Sequence, residues 1–353
     1  MKRLYKEIVG LLTKGDTPIL ATVIEQAGSA PRKSGAQMVM RGDGSLLGSV
    51  GGGRLEAECL REAQTIKAEG RAKVMVFRLK GTEVAETAMI CGGDVEVYIE
   101  LLSVKLLDLY TKLLEMQEQG AEVVLVTRIS TEAIKGGDGG KGLVTADGQC
   151  MAPLALDAEA LAAARAVFTE RIPRLIPYHG ERLYLEPIFP APTLYLFGAG
   201  HISRSVASIA TLVGFDVIVI DDRADFANRD YFPLVQEIWV EEFTGSGKKV
   251  EGGTLSYIVI VTRGHMHDYT VLRQALPLGC RYIGMIGSHR KRDIIYKELT
   301  KEGYTKADLA RVHAPIGLAI GAETPEEIAV SIVAELIKVR AEDTSARTKT
   351  WEV

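Results

Sequence analysis

Apolar positions along this chain follow two rhythms, and the change between them divides it. Residues 193–197, 217–221, 235–240, 256–262 and 281–286 are short apolar runs of buried-strand type, separated by glycine turns and helical stretches. Strands that alternate with helices in this way form a parallel sheet covered on both faces. Upstream the rhythm is mixed. Residues 2–14 read as an amphipathic helix, and strands are expected at 18–25, 36–41 and 45–49. A helix follows the glycines at 51–53 and ends by Gly70. Strands at 73–79 and 94–101, a helix near 104–119, strands at 122–129 and 142–146 and an alanine-rich helix at 157–170 complete this part. Lys135–Gly140 reads as an exposed loop. Pro173, Pro177, Pro187, Pro190 and Pro192 crowd one short stretch, and proline extends neither helices nor central strands. That stretch is the expected boundary. Thr324, Pro325 and Glu327 form a capping-box start for the last helix. No internal repeat is discernible.

The most informative segment follows the boundary. Leu194-Tyr195-Leu196-Phe197 leads into Gly198-Ala199-Gly200-His201-Ile202-Ser203, then a helical pattern to Gly214, then Val217–Ile220 ending in Asp221-Asp222. This is a βαβ unit with a G-x-G-x-x-S turn and two acids beyond it, the setting of a dinucleotide site. Gly198 supplies the tight turn, Gly200 lets backbone approach a phosphate, and the helix start offers N–H groups and a positive dipole end. Asp221 or Asp222 would accept from a ribose, with Arg223 blunting a preference for NAD over NADP. The same fold also occurs without any dinucleotide. The expected fold class is thus α/β: an N-terminal mixed α+β domain over 1–172, a proline-rich linker over 173–192, and a C-terminal Rossmann-like parallel-sheet domain over 193–353.

Composition narrows the rest. The 353 residues suit two domains, and 47% hydrophobic content is that of a globular protein. A net charge of −4 leaves no basic footprint for nucleic acid. No apolar stretch is long enough for a membrane span, and the N-terminal residues read as a helix rather than a signal peptide. Cys59, Cys91, Cys150 and Cys280 are scattered without a CxxC pair, which argues for a reducing cytoplasm and against structural zinc.

Several glycine-flanked constellations could carry chemistry. Gln26–Gly35 combines glycines, a hydroxyl, Arg32 and Lys33 at a strand end. Gly51-Gly52-Gly53-Arg54 leads into a helix and makes a candidate phosphate nest, with Arg32 or Arg54 as a bidentate clamp. Glycine runs also serve ordinary turns that need positive φ. Cys91-Gly92-Gly93 places a thiol in an accessible turn, where it could be a nucleophile or a soft-metal ligand, or simply a small residue at a bend. Arg263-Gly264-His265-Met266-His267-Asp268 lies at the carboxyl end of a strand. Asp268 is expected to cap the next helix, and Arg263 and His265 to face a ligand. Gly287-Ser288 starts another helix whose N–H groups, with Arg290 and Lys291, suit an anion. No serine elbow, paired carboxylates or kinase signature is present. The anion sites come without an evident general base, which favours a binder or carrier of a phosphorylated cofactor.

Together these strings resemble the XdhC/CoxI family, the accessory proteins that mature xanthine dehydrogenase and related molybdenum hydroxylases. The resemblance runs through Gln26–Arg32, Gly51–Glu56, Cys91–Gly93, Phe197–His201, Arg263–His265, Tyr282–Ser288, Pro315–Leu318 and Thr324–Ala329. It implies a chaperone that binds molybdenum cofactor, a pterin dithiolene with a terminal phosphate. Such a chaperone protects the cofactor while a cysteine desulfurase supplies the terminal sulfur, and delivers it to the apo-hydroxylase. It implies a maturation factor rather than an enzyme, with room for a homodimer. Cofactor binding is then expected at Arg32, Gly51, Gly52, Gly53, Arg54 and Cys91, with Cys91 nearest the metal. In the second domain it is expected at Gly198, Gly200, His201, Asp221, Asp222, Arg263, His265, Gly287 and Ser288. The alternative reading is an NAD(P)-dependent oxidoreductase using Gly198, Gly200 and Asp221, or another nucleotide in the same crevice.

Overall fold

The computed structural model describes residues 2–28, 33–79, 93–130, 140–151 and 154–342, and divides into two compact units, Met1–Pro190 and Ala191–Val353. In the first unit the chain runs α1 (Lys2–Thr13), β1 (Ile19–Gly28), β2 (Gln37–Met40), β3 (Leu46–Gly48), α2 (Gly53–Glu69), β4 (Lys73–Leu79) and β5 (Gly93–Leu101). It continues as α3 (Leu107–Glu118), β6 (Val123–Ile129), β7 (Lys141–Thr145), β8 (Cys150–Met151), α4 (Ala158–Glu170), β9 (Arg174–Tyr178) and β10 (Glu181–Ile188). The second series repeats the first, helix for helix and strand for strand. Two antiparallel sheets result, ordered β3-β2-β1-β5-β4 and β8-β7-β6-β10-β9.

The repetition reaches the register. Thr22 faces Gln37 on one side and Tyr98 on the other, and Thr127 faces Lys141 and Tyr184. Glu100 stands opposite Leu20 as Glu186 stands opposite Leu125. Tyr5 of α1 stacks on Tyr110 of α3, its counterpart, at 5.9 Å between centroids. Gln37 donates to Glu186 (2.9 Å) while Lys141 pairs with Glu100 (2.7 Å). These are reciprocal contacts between equivalent positions, the signature of a two-fold interface. An internal repeat is therefore present where none was discernible. Its sequence trace is faint because most positions need only be apolar, and because residues 80–92 lengthen one half where His179-Gly180 suffices in the other.

Period-two alternation builds the layers. Ile19, Ala21 and Val23 face α2 through Leu55, Cys59, Ala63 and Ile66, whereas Leu20 turns the opposite way toward α1 and α3. Val124 and Val126 bury Ala160, Ala164 and Val167 of α4 in the same manner.

The expected linker over 173–192 is corrected. Most of it is β9 and β10, and β10 is an interior strand of the second sheet. The prolines are tolerated for positional reasons. Pro177 lies on β9, an edge strand, and Pro187 lies beyond the last pair of β10 with β9, so neither removes a needed ladder bond.

The second unit comprises β11 (Thr193–Phe197), α5 (His201–Leu212), β12 (Asp216–Asp221), β13 (Glu237–Val240), α6 (Phe243–Ser246), β14 (Ser256–Ile260) and α7 (His265–Ala275). β15 (Tyr282–Met285), α8 (His289–Lys301), α9 (Lys306–Ala310), β16 (Val312–His313) and α10 (Pro325–Glu342) follow. All its strands are parallel, in the order β13-β12-β11-β14-β15-β16, as expected of a Rossmann-like domain. α5 and α10 cover one face and α7 and α8 the other. Strands buried on both faces carry unbroken apolar runs, such as Val217–Ile220. Glu327 accepts from the N–H groups of Glu323 and Thr324, and Thr324 accepts from Glu327, closing the capping box that starts α10. No described helix is long and apolar enough to cross a membrane.

Candidate functional site

In the second unit the strand order reverses between β11 and β14, and ligands of such sheets bind outside the carboxyl ends there. Gly198 follows β11 with φ +110°, and a Cβ on it would stand 2.5 Å from the Val261 carbonyl oxygen. Only glycine fits this crossing of two backbones. Gly200 is the N-cap of α5 and no side chain caps it, so the first turn presents its N–H groups outward beside the exposed His201. Ser203 is fully buried against the sheet, where a third glycine or alanine is usual.

The two acids beyond β12 are both engaged. Asp221 accepts from the Ala199 N–H (2.8 Å) and from the Arg223 guanidinium through Nε (2.8 Å) and Nη2 (2.9 Å). Burial opposes its charge, but Arg223 and these N–H groups hold its carboxyl below the usual range. Asp222 receives a two-bond fork from Arg263 at 2.7 and 2.6 Å. A ribose would therefore have to compete with Arg223 and Arg263 for the carboxylates expected to accept from it.

Two expectations around β14 are corrected. Asp268 does not cap α7, because the helix starts earlier, with Gly264 as N-cap. Asp268 is instead fully buried, accepts from Thr262 Oγ1 (2.6 Å) and pairs with Lys291. Arg263 turns to Asp222 rather than standing open to a ligand, while His265 is exposed at the first position of α7. Ser288 caps α8 by accepting from the Lys291 N–H. Lys291 also donates to the Ile286 carbonyl (3.2 Å), so it braces the turn at Gly287 and is not a free cation there. Sequence reading missed this Thr262–Asp268–Lys291 brace, whose only linear signal is an acid in the first turn of a helix.

In the first unit one end of the first sheet gathers the candidates. Gly28, the last residue of β1, pairs with Gly93, the first of β5, and Gly93 pairs with Leu79, the last of β4. β3 runs parallel to β1, and its last residue, Gly48, is level with Ala21, so Ser49–Gly53 leave the sheet heading toward that end from near the middle of β1. Residues 29–32 and 80–92, which include Arg32 and Cys91, lie outside the described residues; Gly28, Leu79 and Gly93, which border them, are adjacent. Gly51, Gly52 and Gly53 have successive positive φ values (142°, 75°, 55°), the backbone of an anion nest. The nest is already filled from within. Glu56 Oε1 accepts from the Gly52 N–H (2.9 Å) and from Ser49 Oγ (2.6 Å). Burial works against its charge, but Ser49 and the turn's N–H groups outweigh it and lower its pKa. Arg54 pairs with Glu58 along α2.

The described thiols are poor nucleophiles. Burial raises the pKa of Cys59 to about 12 and pushes those of Cys150 and Cys280 upward as well. Among the described residues no cluster of His, Cys, Asp and Glu could hold a metal ion.

Comparison with known proteins agrees with this architecture. Residues 194–336 match a family model described as the XdhC Rossmann domain, and residues 11–78 one described as the XdhC and CoxI family. The chain is 27% identical over 346 residues to a probable xanthine dehydrogenase subunit of Bacillus subtilis, covering 96% of this chain and 98% of that protein. It is 23% identical over 332 residues to the molybdenum cofactor insertion chaperone PaoD of Escherichia coli, covering 94% and 86%. It is 24% identical to the Escherichia coli protein YqeB, covering 91% of this chain but only 43% of that longer one. The crystal structure of a xanthine dehydrogenase from Bacillus halodurans shares the fold, with a TM-score of 0.80 at 24% identity over 98% of each chain.

Proposed function

The chain belongs to the XdhC and CoxI family, and from that premise we propose that it carries molybdenum cofactor as cargo. It holds the cofactor while a cysteine desulfurase supplies the terminal sulfur, and passes it to a xanthine-dehydrogenase-type apo-hydroxylase. One observation carries this reading. Ser49–Gly53 leave β3 in the direction in which β1 runs to Gly28, the end where Gly28, Gly93 and Leu79 lie side by side and from which the chain continues toward Arg32 and Cys91. The matching hairpin of the second sheet is closed by His179-Gly180 alone. A two-residue turn suffices to close such a hairpin, which supports a ligand-binding rather than an architectural role for residues 80–92 and the thiol among them.

The nest fits the cargo in kind. Its N–H groups already hold one anionic oxygen, that of Glu56, and a terminal phosphate offers the same chemistry. Phosphate entry displaces Glu56, and Arg32 supplies the compensating charge. Cys91 is the donor assigned to the metal end, where a thiolate is a suitable soft ligand. By itself the second unit offers the N–H groups of α5 at Gly200 and His201, and those of α8 beyond Gly287 and Ser288, to a phosphorylated ligand. The oxidoreductase reading gains less support, since Asp221 and Asp222 are committed to arginines.

The test is retention of molybdenum and pterin through gel filtration after incubation with cofactor released from a molybdenum hydroxylase. Wild-type protein co-elutes with both. Cys91→Ala and Arg32→Ala each weaken retention about tenfold, the loss of one interaction with a charged group. Absence of co-elution, or indifference to both substitutions, rejects the assignment.

A further inference from the structure

The first unit contains a cavity of about 210 Å³ whose wall includes Tyr98, Glu100, Leu101, Ser103, Thr127 and Lys141. It lies at the opposite end of the first sheet from the Gly28–Gly93 pair, since Leu101 pairs with the first residue of β1 and Gly93 with the last. Lys141 is the informative member. Its side chain is only 4% exposed, and its ammonium meets Glu100 Oε1 (2.7 Å) and Thr127 Oγ1 (2.9 Å). An ammonium has three N–H donors, and among the described residues the third has no partner. Ser103 Oγ in the same wall is buried and also without one.

The internal repeat supplies a control. The counterpart of the Lys141–Glu100 pair is Gln37–Glu186, where an amide meets the carboxyl. The fold is thus satisfied by a neutral partner at this position, and an ammonium there carries a desolvation cost that packing does not require. The surroundings differ in the same sense. Tyr184 is closed in by Ser34, whose Oγ lies 3.2 Å from its hydroxyl. Its counterpart Tyr98 lines open space.

We propose that this cavity is a second ligand site, for a small monoanion of the short-chain carboxylate type. The donors are the third N–H of Lys141, the Ser103 hydroxyl and, at the edge, Arg128. Together they call for anionic oxygen. Glu100 beside them disfavours a second negative charge. Leu101 and Ala72 offer an apolar wall for a short tail, and the volume lies below that of pockets for drug-sized ligands.

The full chain is titrated with propionate and with uncharged 1-propanol at fixed ionic strength, followed by ligand-observed NMR and thermal unfolding. Two variants accompany it. Lys141→Gln copies the arrangement at Gln37, and Ala72→Leu fills the cavity while leaving the ion pair intact. Wild-type protein binds propionate at least about tenfold more tightly than propanol, both variants lose that preference, and Ala72→Leu does so with Tm unchanged or higher. Equal response to propionate and propanol, or full propionate binding by Ala72→Leu, overturns the site. If Lys141→Gln fails to fold, Ala72→Leu decides alone.

Discussion

Glu186 is fully buried, and that burial raises its carboxyl pKa to about 7 against the pull of Lys141 and the hydrogen bond from Gln37. An acid whose pKa is higher in the folded than in the unfolded state keeps its proton longer on folding. Stability therefore falls as pH rises from near 4.5 to near 7 and is flat above, by about 3 kcal/mol at most. Glu186→Gln removes this slope. Urea unfolding at pH 5.5 and pH 8 should show the variant gaining more on wild type at the higher pH, and a gain equal at both would disprove the titration. The thiols give a second expectation. With pKa values raised by burial, Cys59 and Cys280 should resist iodoacetamide at pH 8 and label only after denaturation, as peptide mapping can read. Individual glycines such as Gly51–Gly53 and Gly198 could be singled out from sequence because they meet a backbone demand that stands in the linear order. The partners of the acids could not, because Glu56 filling the nest and Arg263 reaching Asp222 depend on how loops return in space.

Turns and hairpins carry the next set of consequences. Gly198→Ala would drive a Cβ into the Val261 carbonyl at a positive φ, and a loss of ~2–4 kcal/mol is expected by thermal or urea unfolding. Intact stability would mean that the β11 turn relaxes away from β14. The β4–β5 hairpin offers the sharper experiment. His179 and Gly180 both have positive φ (45° and 82°), the conformation of a tight two-residue hairpin turn. Replacing residues 80–92 by His-Gly should preserve the cooperative unfolding of the first unit and abolish cofactor retention. Collapse of the fold would show instead that the segment is structural. Strands such as 193–197 were readable to the residue because a parallel strand buried on both faces is an unbroken apolar run. β9 and β10 were not, because their prolines argue against strands until the edge position of Pro177 and the unpaired side of Pro187 are known.

The first unit coheres through contacts between its halves. The α1–α3 helix pair, the Tyr5–Tyr110 stack and the two reciprocal polar pairs all join one half to the other. Residues 1–190 produced alone should therefore unfold as one cooperative body, whereas residues 1–102 should show no cooperative transition, having lost the partner that covers α1. Circular dichroism melts of the two fragments decide this, and a cooperative melt of 1–102 would make each half an autonomous fold.

A two-fold arrangement within one polypeptide also differs from a dimer of identical chains in what it permits. In a symmetric dimer every change is made twice, so a reactive cysteine or a buried ammonium would appear on both sides of the axis whether or not both were useful. Here the two halves are encoded separately. One keeps Gln37 where the other has Lys141, and one ends its outer hairpin in His179-Gly180 where the other extends through Cys91. The plainer version of each feature preserves the architecture, and its altered twin is free to specialise.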